Sequence, residues 1–259
     1  MIITINIDPV AFSNGIISLR WYGIMYATAF FTSFMMLEKD KIFRKIFNNS
    51  QKELDFFLLK LLLIILVGSK LGYLFFYTSF DRWFKIAFSG AGLSFHGGLM
   101  GAVVAILHES YKRKINPFLI CDRAGLYTPI GIFFGRIGNF LNSELFGRPT
   151  DGSWGFIFPL RDRLAVPRYP SQLFEAFGEG ILLFLILKYI DSRQPKTGVV
   201  ASSLFIGYGF IRFVIEYFRQ PDAHIGLFLG FSRGQYLCFS MILIGFLMLI
   251  TALRKKNKM

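Results

Sequence analysis

Two arginines, Arg136 and Arg212, stand in otherwise apolar stretches, each with polar company at helical spacing. The first lies in Gly135-Arg136-Ile137-Gly138-Asn139-Phe140-Leu141-Asn142-Ser143-Glu144-Leu145-Phe146-Gly147-Arg148, directly after the apolar run Tyr127 to Phe134. Arg136, Asn139 and Asn142 recur every third residue and share one side of a helix; Glu144 breaks that spacing and belongs in a turn after the helix ends. The second arginine belongs to Tyr208, Arg212, Glu216 and Arg219, which fall within one quarter of a helix circumference at about 100° per residue. Charge in or beside hydrocarbon is costly, so both groups read as a working site. Arginine grips phosphate with a planar fork of donors that lysine cannot match, so the expected chemistry is capture of an anion by Arg136 and Arg212 in one cavity. The plainer alternative for the second group is an Arg212–Glu216 pair at i,i+4 that only packs a bundle.

His96 adds an imidazole able to exchange a proton near neutral pH. It sits in the glycine-rich entry Gly92 to Gly101, where Gly97 and Gly101 let a second helix or a ligand approach closely. A structural role and a chemical one stand about even for His96, whereas His108 and His224 read as ordinary loop or interface residues. Lys60 can snorkel from its apolar stretch, but Lys70 lies deeper in the other half and calls for a role.

These residues need apolar elements to position them, and the composition supplies them. Of 259 residues, 54% are hydrophobic and 18% aromatic, including 32 phenylalanines. A soluble domain of this length has no use for so much apolar surface. Apolar stretches run from about Ile17 to Leu37, Phe56 to Tyr77, Leu93 to His108, Pro117 to Phe140, Leu173 to Ile190, Gly198 to Phe218 and Gln235 to Leu253. Each has roughly the ~20 residues that cross a bilayer. The expected fold is all-α: a polytopic membrane protein of about seven transmembrane helices, with a polar cavity open to the outer side. Residues 1–259 form a single integral-membrane domain with a long outer loop over about 142–171. Met1 to Ile17 is expected to lie along the membrane surface. Asp122 and Arg123 sit close enough to an interface to be solvated.

Basic clusters follow the first, third, fifth and seventh stretches, which places the N-terminus outside and the C-terminus in the cytoplasm. The long loop, with Arg148, Arg161, Arg163 and Arg168, then falls outside against that rule. Its arginines either serve a ligand or merely show that long loops cross regardless of charge. A net charge of +13 suits anionic lipid. Nucleic acid is excluded as a partner because the basic residues are scattered between apolar stretches. Cys121 and Cys238 have no metal-binding or disulfide spacing, and no serine elbow, Walker loop or His-Glu-x-x-His is present. No cofactor and no metal are expected. These residues define an outward, arginine-lined cavity for an anionic phospholipid without naming a reaction.

The Gly135 to Arg148 stretch resembles the signature of bacterial prolipoprotein diacylglyceryl transferases. Further likenesses are Arg20-Trp21-Tyr22-Gly23, Ser94-Phe95-His96-Gly97-Gly98, Tyr169-Pro170-Ser171-Gln172-Leu173 with Glu175, and Tyr208-Gly209 through Arg212-Phe213, Glu216 and Arg219-Gln220-Pro221-Asp222. They run in the family's order over nearly the whole chain. Lys70 stands where the family usually has arginine, keeping the charge and losing the fork; Ser143 stands where glycine is usual. The resemblance implies transfer of the diacylglyceryl group of phosphatidylglycerol to the lipobox cysteine thiol of a prolipoprotein. A thioether forms and glycerol phosphate leaves. It implies a multi-pass protein of the bacterial inner membrane whose partners are phosphatidylglycerol, prolipoprotein signal peptides and membrane lipid. On this reading Arg136 and Arg212 clamp the phosphate, and Asn139, Tyr22 and Tyr208 orient the glycerol. Glu144 and Glu216 brace the arginines, and Gly147 and Lys70 belong to substrate binding. His96 or Glu144 takes the thiol proton. The rival reading is a phospholipid transporter or flippase, which intramembrane charge also fits.

Overall fold

The computed structural model describes residues 1–15, 18–87, 92–220, 227–228 and 230–254. The expectations on Ile17, Pro221-Asp222, His224 and the basic tail Lys255 to Lys258 lie outside them. The chain is mostly helical, in the order β1 (Ile2–Thr4), β2 (Val10–Ser13), β3 (Ser18–Arg20), α1 (Trp21–Lys39), α2 (Lys41–Ile46), α3 (Gln51–Tyr77), α4 (Trp83–Ala87), α5 (Phe95–Arg113), α6 (Pro117–Leu141), β4 (Gly155–Ile157), α7 (Ser171–Glu175), α8 (Leu183–Ser192), α9 (Val199–Ile215), β5 (Leu227–Phe228), β6 (Phe231–Ser232) and α10 (Arg233–Arg254). A π-helical stretch, Ala176–Leu182, joins α7 to α8 without a break. All seven apolar stretches fall on helices: α1, α3, α5, α6, the α7–α8 run, α9 and α10. Among the described residues, α10 alone is long and apolar enough by composition to cross a membrane. In the N-terminal segment β1 pairs in parallel with β4, and β2 pairs with β3.

Chain contacts divide the molecule into two compact units. In the unit Glu38–Cys121, α3 packs on α5 along a seam of glycines. A Cβ on Gly101 would lie 2.5 Å from the Ile64 carbonyl oxygen, and one on Gly72 would lie 2.7 Å from the Gly97 Cα. The glycines that follow His96 therefore admit a helix. Ser50 caps α3 and Ser94 caps α5, each accepting a backbone N–H three residues on. Lys60 does not snorkel: it pairs with the buried Glu109, whose other oxygen takes Arg113 Nε at 2.8 Å. Arg113 also reaches Glu53 at 2.9 Å and stacks over Phe47.

The other unit, Met1–Leu37 with Asp122–Met259, holds α1, most of α6 and the helices after it. Its core is Leu126, Leu183, Leu187 and Val200, with Tyr208 and Ile211 packed against them. Small residues set the contacts: a Cβ on Gly180 would lie 2.7 Å from Phe133 Cβ, and one on Gly209 would lie 3.0 Å from the Cys238 carbonyl. Asp122 and Arg123 are buried, not solvated. Asp122 accepts from the N–H groups of Gly198 at 2.6 Å and Ala201 at 2.8 Å, closing the exposed start of α9, and Arg123 pairs with Asp191.

Candidate functional site

Arg136 lies one turn from the end of α6, and Arg212 lies in the last turn of α9. Both side chains are mostly buried, and both point at the same two carboxylates, on the helix that runs from α7 into the π-helical stretch. Arg136 Nε lies 3.2 Å from Glu175 Oε2, and its Nη2 lies 3.3 Å from Glu179 Oε2. Arg212 Nη1 pairs with Glu175 and lies 3.2 Å from Glu179 Oε1. Both glutamate side chains are 0% exposed. Arg219, just past α9, reaches Glu175 Oε1 at 3.1 Å. Arg212 also meets Glu216 at 3.2 Å, as its i,i+4 spacing predicts, and Ser232 donates its hydroxyl to Glu216 at 2.9 Å.

Three guanidinium groups thus face three carboxylates in one buried cluster, and opposite charges at this range hold each other where water cannot. Tyr208 stands in the field of Glu179, Arg136 and Arg212. A π-helical turn inside an α-helix often marks a functional segment, and this one begins directly after Glu175 and contains Glu179.

The end of α6 is shaped by its own turn. Asn139 and Asn142 are buried, and the Asn142 side-chain oxygen is buried without a hydrogen-bond partner among the described residues. Ser143 has φ +55° and Leu145 φ +58°, the left-handed region that lets the chain reverse. Glu144 follows the helix as its spacing predicts, but its carboxylate meets the half-exposed Arg161 at 3.2 Å. Among the described residues, the carboxylates paired with Arg136 and Arg212 come from Glu175, Glu179 and Glu216. Tyr22, on α1, hydrogen-bonds Tyr26 at 2.8 Å and packs where a Gly138 Cβ would be 3.5 Å from its ring.

The Tyr169 to Gln172 motif secures this turn. Ser171 Oγ donates to the Leu145 carbonyl at 3.0 Å, and Gln172 Nε2 donates to the Glu144 carbonyl at 2.7 Å. Gly147 donates its N–H to the Tyr169 carbonyl, and a Cβ there would sit 2.5 Å from the Phe218 carbonyl, so only glycine lets the loop pass between them. Arg168 is occupied within the loop: it grips Asp162 with two nitrogens, at 2.6 and 2.9 Å, and stacks over Phe146. Those bonds hold the Asp162 carboxyl below its ordinary range. Arg148 Nε donates to the Arg219 carbonyl at 2.9 Å. For Arg168 and Arg148, the folding of the loop accounts for the charge that suggested a ligand. His96 and Lys70 belong to the other unit; His96 is exposed in the first turn of α5, and Lys70 is half-buried on α3.

Glu175 entered the sequence reading only within a family likeness, Glu179 not at all, and neither was assigned to the site. The signal available was their i,i+4 spacing on a helix otherwise apolar from Leu173 to Leu187.

Arginine forks buried beside matched carboxylates on apolar helices mark a functional site of the kind membrane proteins build. The chain belongs to the prolipoprotein diacylglyceryl transferase family, whose model matches residues 9–251. Phosphatidylglycerol–prolipoprotein diacylglyceryl transferases are similar over almost the full length. That of Pseudoalteromonas atlantica is 42% identical, covering 98% of this chain and 92% of its own. That of Polynucleobacter necessarius is 38% identical over the whole of both chains. That of Geobacter sulfurreducens is 39% identical over 97% of each.

Proposed function

We propose that this chain transfers the diacylglyceryl group of phosphatidylglycerol to the lipobox cysteine of prolipoproteins. The observation that carries the reading is the meeting of Arg136 and Arg212, from different helices, on Glu175 and Glu179. Two forks held that close can grip the two free oxygens of one phosphodiester. The cysteine sulfur attacks the glyceryl carbon, the S–C bond forms and the C–O bond to phosphorus breaks. The electron pair leaves with glycerol phosphate, and the thiol proton passes to a base. Preplaced guanidinium groups stabilise the charge that gathers on the departing phosphate. Because the nucleophile is the substrate's own thiol, the chain needs no catalytic cysteine.

In this reading Asn139, Tyr22 and Tyr208 orient the glycerol beside Arg136. Glu216 braces Arg212, and Gly147 keeps the outer loop close to the cluster. The roles of His96 or Glu144 as base and of Lys70 in substrate binding rest on the family resemblance.

We read residues 1–259 as one multi-pass domain of the bacterial inner membrane, with seven spans, an outward cavity and the C-terminus in the cytoplasm. Support comes from the apolar side chains left exposed along the helices, among them Phe75, Phe76, Val104, Leu243 and Leu247. The pairing of β1 with β4 also supports it, since it joins the N-terminus to the long loop and so favours one side of the bilayer for both. The test is to incubate purified protein with phosphatidylglycerol and a lipobox peptide. A diacylglyceryl adduct on the peptide cysteine and free glycerol phosphate are expected; lipid movement with neither product points to a flippase instead.

A further inference from the structure

The forks that must receive a phosphate are already filled. Arg136, Arg212 and Arg219 face Glu175, Glu179 and Glu216, so the cluster carries no surplus positive charge to offer an arriving anion. A phosphodiester entering it adds one negative charge to a space that excludes water, where an unbalanced charge is strongly disfavoured. One carboxylate must be neutralised or displaced for the headgroup to bind.

The contacts distinguish the three. Glu175 is held by Arg136, Arg212 and Arg219 together. Glu216 has Arg212 at 3.2 Å, Arg219 at 4.0 Å and the Ser232 hydroxyl at 2.9 Å. Among the described residues, Glu179 has Arg136 and Arg212 only, at 3.3 and 3.2 Å, and it stands between the two forks the headgroup requires. The groups around it are Arg136 from α6, Arg212 and Tyr208 from α9, Cys238 from α10 and Glu175 from its own helix. It also lies in the π-helical turn, whose i→i+5 pattern holds the backbone less regularly than an α-helix.

We propose that Glu179 is a positioning residue: it holds Arg136 and Arg212 together in the resting protein, then takes up one proton and yields its place to the phosphate headgroup. The inference rests on the functional reading above. The proton comes from solvent on binding and returns to solvent when glycerol phosphate leaves and the carboxylate re-forms its pairs. No bond to carbon or phosphorus changes at Glu179. The consequence is linkage: headgroup affinity falls as pH rises, up to tenfold per pH unit.

The experiment is calorimetric titration of the detergent-solubilised full chain with short-chain phosphatidylglycerol, in buffers of different ionisation enthalpy. KM for transfer is followed across pH in parallel. Wild type is expected to take up close to one proton per lipid bound, with log KM rising with pH. Glu179→Gln mimics the protonated carboxyl and is expected to abolish both the uptake and the pH dependence of KM, whereas Glu175→Gln keeps them. The inference is overturned by binding without proton uptake in wild type, by uptake that persists in Glu179→Gln, or by uptake lost in Glu175→Gln instead. If Glu179→Gln fails to fold, Glu179→Asp, which still titrates, is expected to keep the uptake, and its loss there overturns the idea. Adduct formation without proton uptake sinks this inference alone; no adduct at all sinks the functional reading.

Discussion

Arg136 and Arg212 do two jobs that lysine cannot do together. Each reaches both Glu175 and Glu179, and that bridging needs donors spread across a rigid plane. Arg136→Lys and Arg212→Lys each keep the charge and lose the span. Each is expected to lower kcat/KM for transfer by roughly 100-fold or more, the scale of removing one donor from a charge-stabilising site. The adduct assay with phosphatidylglycerol and peptide measures it; near-wild-type rates in both variants remove the forks from the chemistry. Ser143 is the opposite case, a residue at odds with its position. It has φ +55°, and its buried hydroxyl has no hydrogen-bond partner among the described residues. Ser143→Gly relieves both and is expected to stabilise the protein by about 1 kcal/mol, after allowance for the entropy glycine loses on folding. Thermal unfolding in detergent reads this directly.

At the scale of elements, ion pairs fasten what apolar packing alone leaves free to slide. α3 and α5 meet along glycines, and the Lys60–Glu109 pair sets their register. Lys60→Met strands one oxygen of a buried carboxylate while Arg113 still holds the other. The expected loss is about 1–3 kcal/mol, and a second change, Glu109→Gln, should recover part of it. The long loop has its own fastening in Asp162 and Arg168. Hydrogen bonds from Arg168 depress the Asp162 carboxyl, so its contribution is complete above the ordinary unfolded value near ~3.9 and disappears as pH falls through the lower folded value. Protease cleavage within residues 142–171 should therefore accelerate only at strongly acid pH. Asp162→Asn should cleave faster at neutral pH and show no further acid step; an unchanged cleavage profile would falsify the loop-fastening role.

For the whole molecule, the prediction concerns sidedness. In a background with Cys121 and Cys238 replaced by alanine, a cysteine at Asp151 is expected to react with an impermeant maleimide added outside intact cells. One at Lys112 should react only after the cells are opened. Labelling in the reverse pattern inverts the proposed topology and places the long loop, with its link to the N-terminus, in the cytoplasm. α3 and α6 carry charges that are paired inside the protein. Hydropathy counts Lys60, Asp122, Arg123 and Arg136 as if each met lipid, whereas each has a partner inside the protein.

The linear chain was sufficient to locate the long helices, because a run of apolar residues and its breakpoints are local properties. It also pointed to Arg136, Arg212 and Glu216, since a charge in an oily stretch announces itself without reference to anything else. Beyond the local Arg212–Glu216 pair, it could not say which carboxylates those arginines meet. Glu175 and Glu179 lie on a third helix, and their distances to Arg136 and Arg212 depend on how α6, the α7–α8 run and α9 pack through Gly178 and Gly180. Packing likewise turned Asp122 into a cap for α9 and Arg168 into a clasp for the loop. Partnership across 33 to 43 residues of chain is a property of three-dimensional approach, and only the tertiary structure decides it.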